Sequence, residues 1–239
     1  KMCDRGRADP SGESGRAARL VAAPEFDEGW QIEYSVHRVS PIIAADVKSV
    51  CRNELEPELR RLGVKPEDER NFLAERLLGV PTWQPAPTWD DLLKGDWKSA
   101  KLDLSVYPSL EVNKVRKLLY LKVKAWASKV RAALAAKGYW ADAGCPITGN
   151  CMFGERTSSV YNELEGLTHM LGYDAVPIGC CGIVLHPTWA RAAYPVSLFT
   201  LAPHEDLVAA IREAGAQVEL PSVSVVTEAS ELVEGDSCI

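Results

Sequence analysis

Two adjacent cysteines, Cys180 and Cys181, are the residues of this chain whose type and spacing most directly suggest chemistry. They lie between Gly179 and Gly182 and lead into the apolar run Ile183–Leu185, which has the character of a strand. Glycine lets a backbone approach a ligand closely and adopt turns that other residues resist. The pattern therefore places two sulfur atoms at the mouth of a predicted strand.

Four chemistries are open to this pair. The thiols can pack inertly, since free cysteine is among the most buried residue types. They can bond to each other through a strained eight-membered ring. A thiolate can act as a nucleophile or as a ligand to a soft metal. The fourth is zinc, for which the candidate ligands are Cys145, Cys151, Cys180, Cys181, His169 and His186.

The spacing argues against zinc. The chain contains no C-x-x-C, and the separation of Cys145 from Cys151 does not match common structural zinc sites. Inert packing and a reactive or metal-binding thiolate stay in competition on the residues alone. For His186, Trp140 and Trp189, structural roles are favoured over catalytic ones.

The segment Ala135–Trp189 resembles the C-terminal domain of the CblD (MMADHC) family of cobalamin trafficking proteins. The resemblance is strong there and looser back to Trp30 and on to Ala214, with Ser197–Thr200 matching the family's following strand. The matching residues are Gly138, Tyr139, Trp140, Ala141, Asp142, Pro146, Gly149, Phe153, Gly154, Thr157, Leu171, Gly172, Gly179, Cys180, Cys181, Val184, His186 and Trp189. The combination of GYWAD with LG…GCC…H..W in this order is specific.

The resemblance implies a trafficking adaptor for cobalamin, not an enzyme, that works with a CblC-type processing protein. It also implies a nitroreductase-like α+β fold with no bound flavin. In the family the first cysteine of the vicinal pair offers its thiolate to cobalt in the complex of the two proteins, which carries over to Cys180. Cys181 is not expected to share that role. A soft thiolate suits an axial position of cobalt, provided that the thiol deprotonates on binding.

Composition sets outer limits on these expectations. The 239 residues can form one large domain, and 46% hydrophobic with 25% charged residues is ordinary for a globular protein. A net charge of −6 argues against nucleic acid as the main partner, and no apolar run is long enough to predict a transmembrane segment. Seven irregularly spaced cysteines do not suggest a secreted disulfide framework. We expect a reducing compartment, cytoplasmic and/or mitochondrial.

Three divisions of the chain are predicted. Residues 1–23 lack apolar periodicity and read as a tail or linker. Residues 24–219 form the CblD-like domain, with a Trp/Pro-rich surface insertion at 81–97 whose Trp83, Trp89 and Trp97 we expect to pack back on the domain. Residues 220–239 form a C-terminal extension able to add an edge strand or to lie on a partner.

Alternation of apolar and polar residues predicts strands. Ile32, Tyr34 and Val36 alternate with polar residues in Gln31–Val39, which indicates a half-buried strand. Further strands are predicted at Leu102–Val106, Tyr139–Asp142, Gly182–His186 and Val196–Leu201.

Spacings of three and four residues predict helices. Ser40 and Pro41 have the signature of a helix start, and this helix is expected to run to about Leu55. Helices are also predicted at Pro66–Leu78 and Pro203–Ala214. A long amphipathic helix should run through Lys137 to a C-cap at Gly138. Its buried face is expected to carry Val115, Leu119, Val123, Trp126, Val130 and Leu134.

Other functions compete with the trafficking adaptor. The runner-up is a structural accessory subunit of a large organellar, mitochondrial assembly that kept the CblD fold, in which Cys180 would be buried against its host. A flavin reductase is disfavoured because no flavin phosphate-binding motif is visible. A thiol-redox enzyme would be favoured by a bond between Cys180 and Cys181 under mild oxidation.

Overall fold

A five-stranded antiparallel sheet lies at the centre of the computed structural model, which describes residues 19–86, 108–178 and 181–218. The strand order is β1-β2-β3-β7-β4, and β5 and β6 form a separate antiparallel hairpin. The strands are β1 (Arg19–Asp27), β2 (Ile32–Arg38), β3 (Leu78–Pro85), β4 (Ala141–Ala143), β5 (Ala175–Ile178), β6 (Cys181–Val184) and β7 (Ala193–Thr200).

Helices cover both faces of this sheet, so the α+β prediction is confirmed, whereas the nitroreductase-like classification stays a prediction. The helices are α1 (Pro41–Val50), α2 (Arg52–Arg61), α3 (Glu69–Arg76), α4 (Pro108–Ala136), α5 (Glu163–Leu171) and α6 (His204–Ala216). No helix in the described part of the chain is long and apolar enough to cross a membrane.

The core on one face is formed by α4 and α6. The apolar stripe predicted on α4 faces inward. All six of its residues are buried, namely Val115, Leu119, Val123, Trp126, Val130 and Leu134. The four from Val123 onward pack in one cluster with Ile32, Tyr34 and Val36 of β2, which confirms the alternation predicted for that strand, whereas Val115 and Leu119 form a separate small cluster. Burial of this stripe is what drives a helix of this length to lie across the sheet.

The opposite face is covered by α1, α2, α3 and α5. Ile43 and Val47 of α1 pack with Leu55 and Leu59 of α2, and Phe199 of β7 lies beneath them. Ser40 begins α1 as predicted, because its hydroxyl accepts a hydrogen bond from the Ile43 amide at 3.4 Å. This second layer also buries Ser35 and His37, so the expectation that β2 is only half-buried was wrong.

The prediction of an N-terminal tail was wrong for residues 19–23, because they form the first half of β1. Two register shifts interrupt the pairing of β1 with β2, between Leu20 and Ala22 and between Ala22 and Glu25. An interrupted register removes the period of two that reveals a strand in sequence. Residues 1–18 lie outside the described residues.

The prediction of a surface insertion was wrong for Pro81–Pro85. These residues belong to β3, in the middle of the sheet. Proline normally argues against a central strand, since it cannot donate to the ladder. Trp83 is buried in the core, as expected for its side chain. Residues 87–107, which hold Trp89, Trp97 and the strand predicted at Leu102–Val106, lie outside the described residues, as do residues 219–239.

Several helix boundaries differ from the predictions. The single helix expected up to Leu55 is two helices, because Cys51 between them adopts a non-helical conformation. The helix expected at Pro66–Leu78 is the shorter α3, and Leu78 already pairs in β3. The helix α6 extends past Ala214 to Ala216. Gly138 follows α4 with a φ of 80°, as expected of a C-cap glycine.

Candidate functional site

The hairpin of β5 and β6 holds the vicinal cysteines. Ile178 of β5 pairs with Cys181 of β6, so the two strands are joined by Gly179 and Cys180. These two joining residues lie outside the described residues, and the side chain of Cys181 is not described either. Since β6 begins at Cys181, Cys180 precedes the strand in sequence.

Helix α5 supports this hairpin through a close contact. A Cβ atom added at Gly182 would lie 2.6 Å from Cδ2 of Leu164, which is closer than side chains tolerate. Val184 packs beside it against Leu167 of α5 and Trp83 of β3. Glycine at 182 therefore lets the hairpin lie directly on the helix.

His186 follows the hairpin and lies in an aromatic enclosure. Its ring stacks on Trp189 with centroids 4.3 Å apart, and the rings of Trp83 and Tyr173 approach to 5.1 and 6.0 Å. Its Nδ1 accepts hydrogen bonds from the amides of Thr188 and Trp189, both at 3.2 Å.

The second ring nitrogen of His186 is also engaged. Since Nδ1 accepts, Nε2 carries the proton and donates to Oε1 of Glu33 at 3.0 Å. Both nitrogens are therefore occupied by structural hydrogen bonds, which confirms the structural role expected for this histidine. It has no nitrogen left for the zinc site considered above.

Asp142 of the GYWAD motif is fully buried and anchors a distant stretch of chain. Its Oδ1 accepts hydrogen bonds from the amides of Ala143, Met152 and Phe153 at 2.6, 3.0 and 3.1 Å, and its Oδ2 accepts from Gly154 at 2.9 Å. Burial raises the pKa of Asp142 to about 6, and the amides of Ala143, Phe153 and Gly154 oppose this rise. One carboxylate thus fixes residues 152–154 beside β4.

Glu54 of α2 completes this anchor. It accepts hydrogen bonds from the indole of Trp140 at 3.2 Å and from the guanidinium of Arg131 at 3.3 Å. A Cβ atom at Gly154 would lie 2.8 Å from the Glu54 carboxyl carbon, so a side chain at this position would have to displace the Glu54 carboxylate. The roles of Trp140 and Asp142 in this motif are therefore structural.

A second largely buried carboxyl group, Glu163, lies at the start of α5. Its Oε1 accepts a hydrogen bond from the Ser197 hydroxyl at 2.6 Å. Burial raises the pKa of Glu163 to about 7, although the hydrogen bonds from Ser197 act in the opposite direction. This group joins the helix that supports the hairpin to β7.

Those of the other candidate zinc ligands that the structure describes do not converge. Cys151 forms a disulfide with Cys51, whereas Cys145 is a buried free thiol. Within residues 19–86, 108–178 and 181–218, no group of three or more His, Cys, Asp or Glu residues is placed to hold a metal ion. The irregular cysteine spacing had not suggested a disulfide, so the bond between Cys51 and Cys151 is a feature that the sequence did not reveal.

Comparison with known proteins identifies a family that part of this chain resembles. Residues 100–212 match the family model described as methylmalonic aciduria and homocystinuria type D protein, MMADHC. This region is therefore similar to the MMADHC family. The match contains the Asp142 anchor, α5 and the hairpin with the vicinal cysteines, so the resemblance read from those residues is confirmed.

Relatives of known name match about two fifths of this chain. The cobalamin trafficking protein CblD of Homo sapiens is 33% identical over 103 residues, which are 43% of this chain and 34% of that protein. The Mus musculus protein of the same name is 34% identical over 98 residues, 41% of this chain and 33% of that protein. The Gallus gallus protein is 30% identical over 103 residues, 43% of this chain and 34% of its own length. The matched region spans about a third of each relative's length.

Several residues that organise this MMADHC-type region escaped the sequence analysis. Glu54 and Arg131 lie on the surfaces of predicted helices and gave no signal of their partnership with Trp140. Glu163 and Ser197 are ordinary polar residues in sequence. A usable signal existed only for Asp142, because an acid two residues after Trp140 in a predicted strand demands hydrogen-bond partners once it is buried.

Proposed function

We propose that this chain is a cobalamin trafficking adaptor of the CblD kind. The observation that carries the proposal is the match of residues 100–212 to the MMADHC family, together with relatives named for cobalamin trafficking. The polar atoms of His186, Trp140 and Asp142 in this region are all engaged in hydrogen bonds that hold the fold together. That use of polar groups suits an adaptor better than an enzyme.

The proposed cobalt ligand is the thiolate of Cys180. Sulfur is a soft donor, and an anionic sulfur can fill an axial position of the cobalt in cobalamin. In sequence the residue lies between Ile178 and Cys181, which pair as the ends of β5 and β6, and α5 packs against β6 at Gly182. An ordinary thiol with a pKa of about 8.5 must lose its proton on binding, so formation of the bond should favour higher pH.

The proposed partner is a CblC-type cobalamin-processing protein that holds the cobalamin while Cys180 meets its cobalt. No flavin is part of the proposal, because the adaptor supplies a ligand and no reducing equivalents. A yellow, reducible flavin in stoichiometric amount on the purified chain would overturn this part.

An absorbance titration with cobalamin, with and without a CblC-type protein, tests the proposal. Cys180→Ser replaces a soft ligand with a weakly acidic hydroxyl of similar size, so it should abolish the cobalamin–sulfur absorbance change. Cys181→Ser is the matched control and should retain the change. Circular dichroism of both variants checks that the fold is intact.

The other outcomes of this titration are equally informative. If the two variants exchange their spectra, the ligand is Cys181 and the transfer from the family is off by one residue. If neither variant alters the spectrum, the thiolate chemistry is absent, and a structural accessory subunit of an organellar assembly becomes the better explanation.

A further inference from the structure

The disulfide between Cys51 and Cys151 joins two parts of the chain separated by 100 residues. Its Cα atoms are 5.8 Å apart, within the relaxed range for a disulfide, and both residues are only 5% exposed. Cys51 lies between α1 and α2, and Cys151 lies at the start of residues 151–160, which we call the docked loop. The bond therefore fastens this loop to the corner made by the two helices.

The rest of the contact between the docked loop and this corner is polar and weak. The Thr157 hydroxyl donates to the Val50 carbonyl at 3.2 Å. The hydroxyls of Ser49 and Ser159 lie 2.6 Å apart, and Asn53 donates to Glu155 at 3.4 Å, both at the exposed surface. Exposed hydrogen bonds of this kind contribute little net stability, so the covalent bond is the strongest tie at the corner.

The two ends of the docked loop are held independently of the disulfide. The Tyr161 amide donates to the Gly149 carbonyl at 2.7 Å, which closes the base of the loop. Asp142 binds the amides of Met152, Phe153 and Gly154, as described above. Between these two ends, residues 155–160 are held by the disulfide at Cys151, by the weak contacts with the corner and by the Thr157 amide, which donates to Oδ1 of Asn150 at 2.8 Å. They are therefore the part of the loop whose position depends most on the disulfide.

The surroundings of the sulfur atoms suit both oxidation states. The Val50 carbonyl oxygen lies 3.5 Å from Sγ of Cys151, so a thiol at this position has an acceptor for its proton. Thr157 hydrogen-bonds to the same carbonyl and so covers Cys151 from the side of the loop. Glu155, Arg156 and Val160 beside it are exposed, which makes a local opening at this point inexpensive.

We propose that Cys51 and Cys151 form a reversible thiol–disulfide pair that controls whether residues 155–160 stay docked on the corner between α1 and α2. The exchanging reagent is a small disulfide or thiol of the glutathione class. In oxidation, the thiolate of one cysteine attacks the small disulfide and releases one small thiol. The second cysteine thiolate then attacks the resulting mixed disulfide, releases the second small thiol and closes the protein bond.

Proteolytic mapping and amide hydrogen exchange of the full chain test this pair in buffers of defined thiol and disulfide ratio. The oxidised sample should yield a cross-linked peptide that contains Cys51 and Cys151. On reduction, the amides of Thr157 and Ser159, which donate to Asn150 Oδ1 and to the Thr157 hydroxyl, should exchange at least about tenfold faster. The amides of 152–154 should keep their protection because Asp142 still holds them.

Variants distinguish a local effect on residues 155–160 from a loss of stability of the whole domain. Cys51→Ala should exchange like the reduced protein in both buffers, whereas Cys145→Ser, which removes the buried free thiol, should respond like the wild type. Reduction of the wild-type protein supplies the same comparison if Cys51→Ala does not fold. Absence of the cross-linked peptide under oxidising conditions, or equal acceleration across the whole core on reduction, would overturn the proposal.

Discussion

At the scale of single residues, two buried titratable side chains on the same side of the sheet act on stability in opposite directions. Burial lowers the pKa of His37 from 6.5 to about 4, while burial raises the pKa of Glu163 from 4.5 to about 7. Unfolding frees both groups to titrate normally. Their windows overlap between about pH 4.5 and pH 6.5, so the two effects partly cancel there in the wild-type protein.

The substitution Glu163→Gln separates the two effects. Between pH 4.5 and pH 7 the folded state holds the Glu163 proton more tightly than the unfolded state, so this residue lowers stability as the pH rises. Over the whole window the loss is about 3 kcal/mol. The variant should therefore be more stable than the wild type at pH 8 and similar to it at pH 4.5, as measured by urea unfolding.

His37 provides the internal check on that experiment. Its folded-state pKa is depressed, so the unfolded state binds more protons between about pH 4 and pH 6.5 and stability rises with pH in this window. With Glu163 removed, His37 is still opposed by Asp142, whose pKa burial raises to about 6, so the fall in unfolding free energy between pH 4.5 and pH 7 should be smaller than in the wild type. A variant whose unfolding free energy falls as steeply as that of the wild type would show that Glu163 is not a source of the fall.

At the scale of elements, the position of the cysteine hairpin depends on the fit between β6 and α5. Gly182 lacks a positive φ, so its backbone conformation does not require glycine; the proximity of Leu164 does. The hairpin therefore lies on α5 because one residue has no side chain. This dependence can be measured without reference to cobalamin.

A double-mutant cycle tests that contact. Gly182→Ala places a methyl group against Leu164 and should lower the unfolding free energy by about 1–3 kcal/mol, the usual cost of overpacking. In a Leu164→Ala background the same substitution should cost much less, because the space is then free. A coupling of at least about 0.5 kcal/mol is expected. Equal costs in the two backgrounds would mean that the hairpin does not rest on Leu164.

Elements with a regular pattern were predictable from sequence, and those with an interrupted pattern were not. The stripe of α4 and the alternation of β2 follow from burial of one face, so their residues could be named in advance. The strand β1 was missed because its register shifts disrupt alternation, and β3 because its prolines normally exclude a central strand. The disulfide could not be predicted, since it depends on a meeting of residues 100 positions apart.

In the candidate site, too, some residues were predictable from sequence and others were not. The vicinal cysteines and the GYWAD motif stand out in sequence because their residue types are unusual in those places. Their supports do not, since the contacts of Glu54 with Arg131 and of Glu163 with Ser197 join elements far apart in the chain. Such contacts carry no local pattern, so only the fold reveals them.

At the scale of the whole molecule, two kinds of connection hold the layers together. The disulfide joins Cys51 and Cys151, which are 100 residues apart in the chain, on the face of the sheet that α1 and α2 cover. The other face of the sheet relies on the apolar contacts of α4 and α6. Two fully buried tryptophans lie in that layer, Trp126 on α4 and Trp30 beside β2.

These two tryptophans differ in one respect that their burial does not show. The indole N–H of Trp30 donates to the Ala214 carbonyl at 2.8 Å, whereas the indole N–H of Trp126 finds no acceptor in the described part of the chain. A buried donor without a partner is costly, so Trp126 contributes through its packing and not through its polar atom.

Substitution of both tryptophans should therefore give unequal results. Trp126→Ala should lower the unfolding free energy by about 3–5 kcal/mol, because it opens a cavity between α4 and the sheet. Trp126→Phe keeps most of the volume and removes the unpaired N–H, so it should cost about 1 kcal/mol less than Trp30→Phe, which loses a real hydrogen bond. Chemical denaturation of the three variants measures these differences. A loss below about 1 kcal/mol for Trp126→Ala, or a larger loss for Trp126→Phe than for Trp30→Phe, would contradict this account of the core.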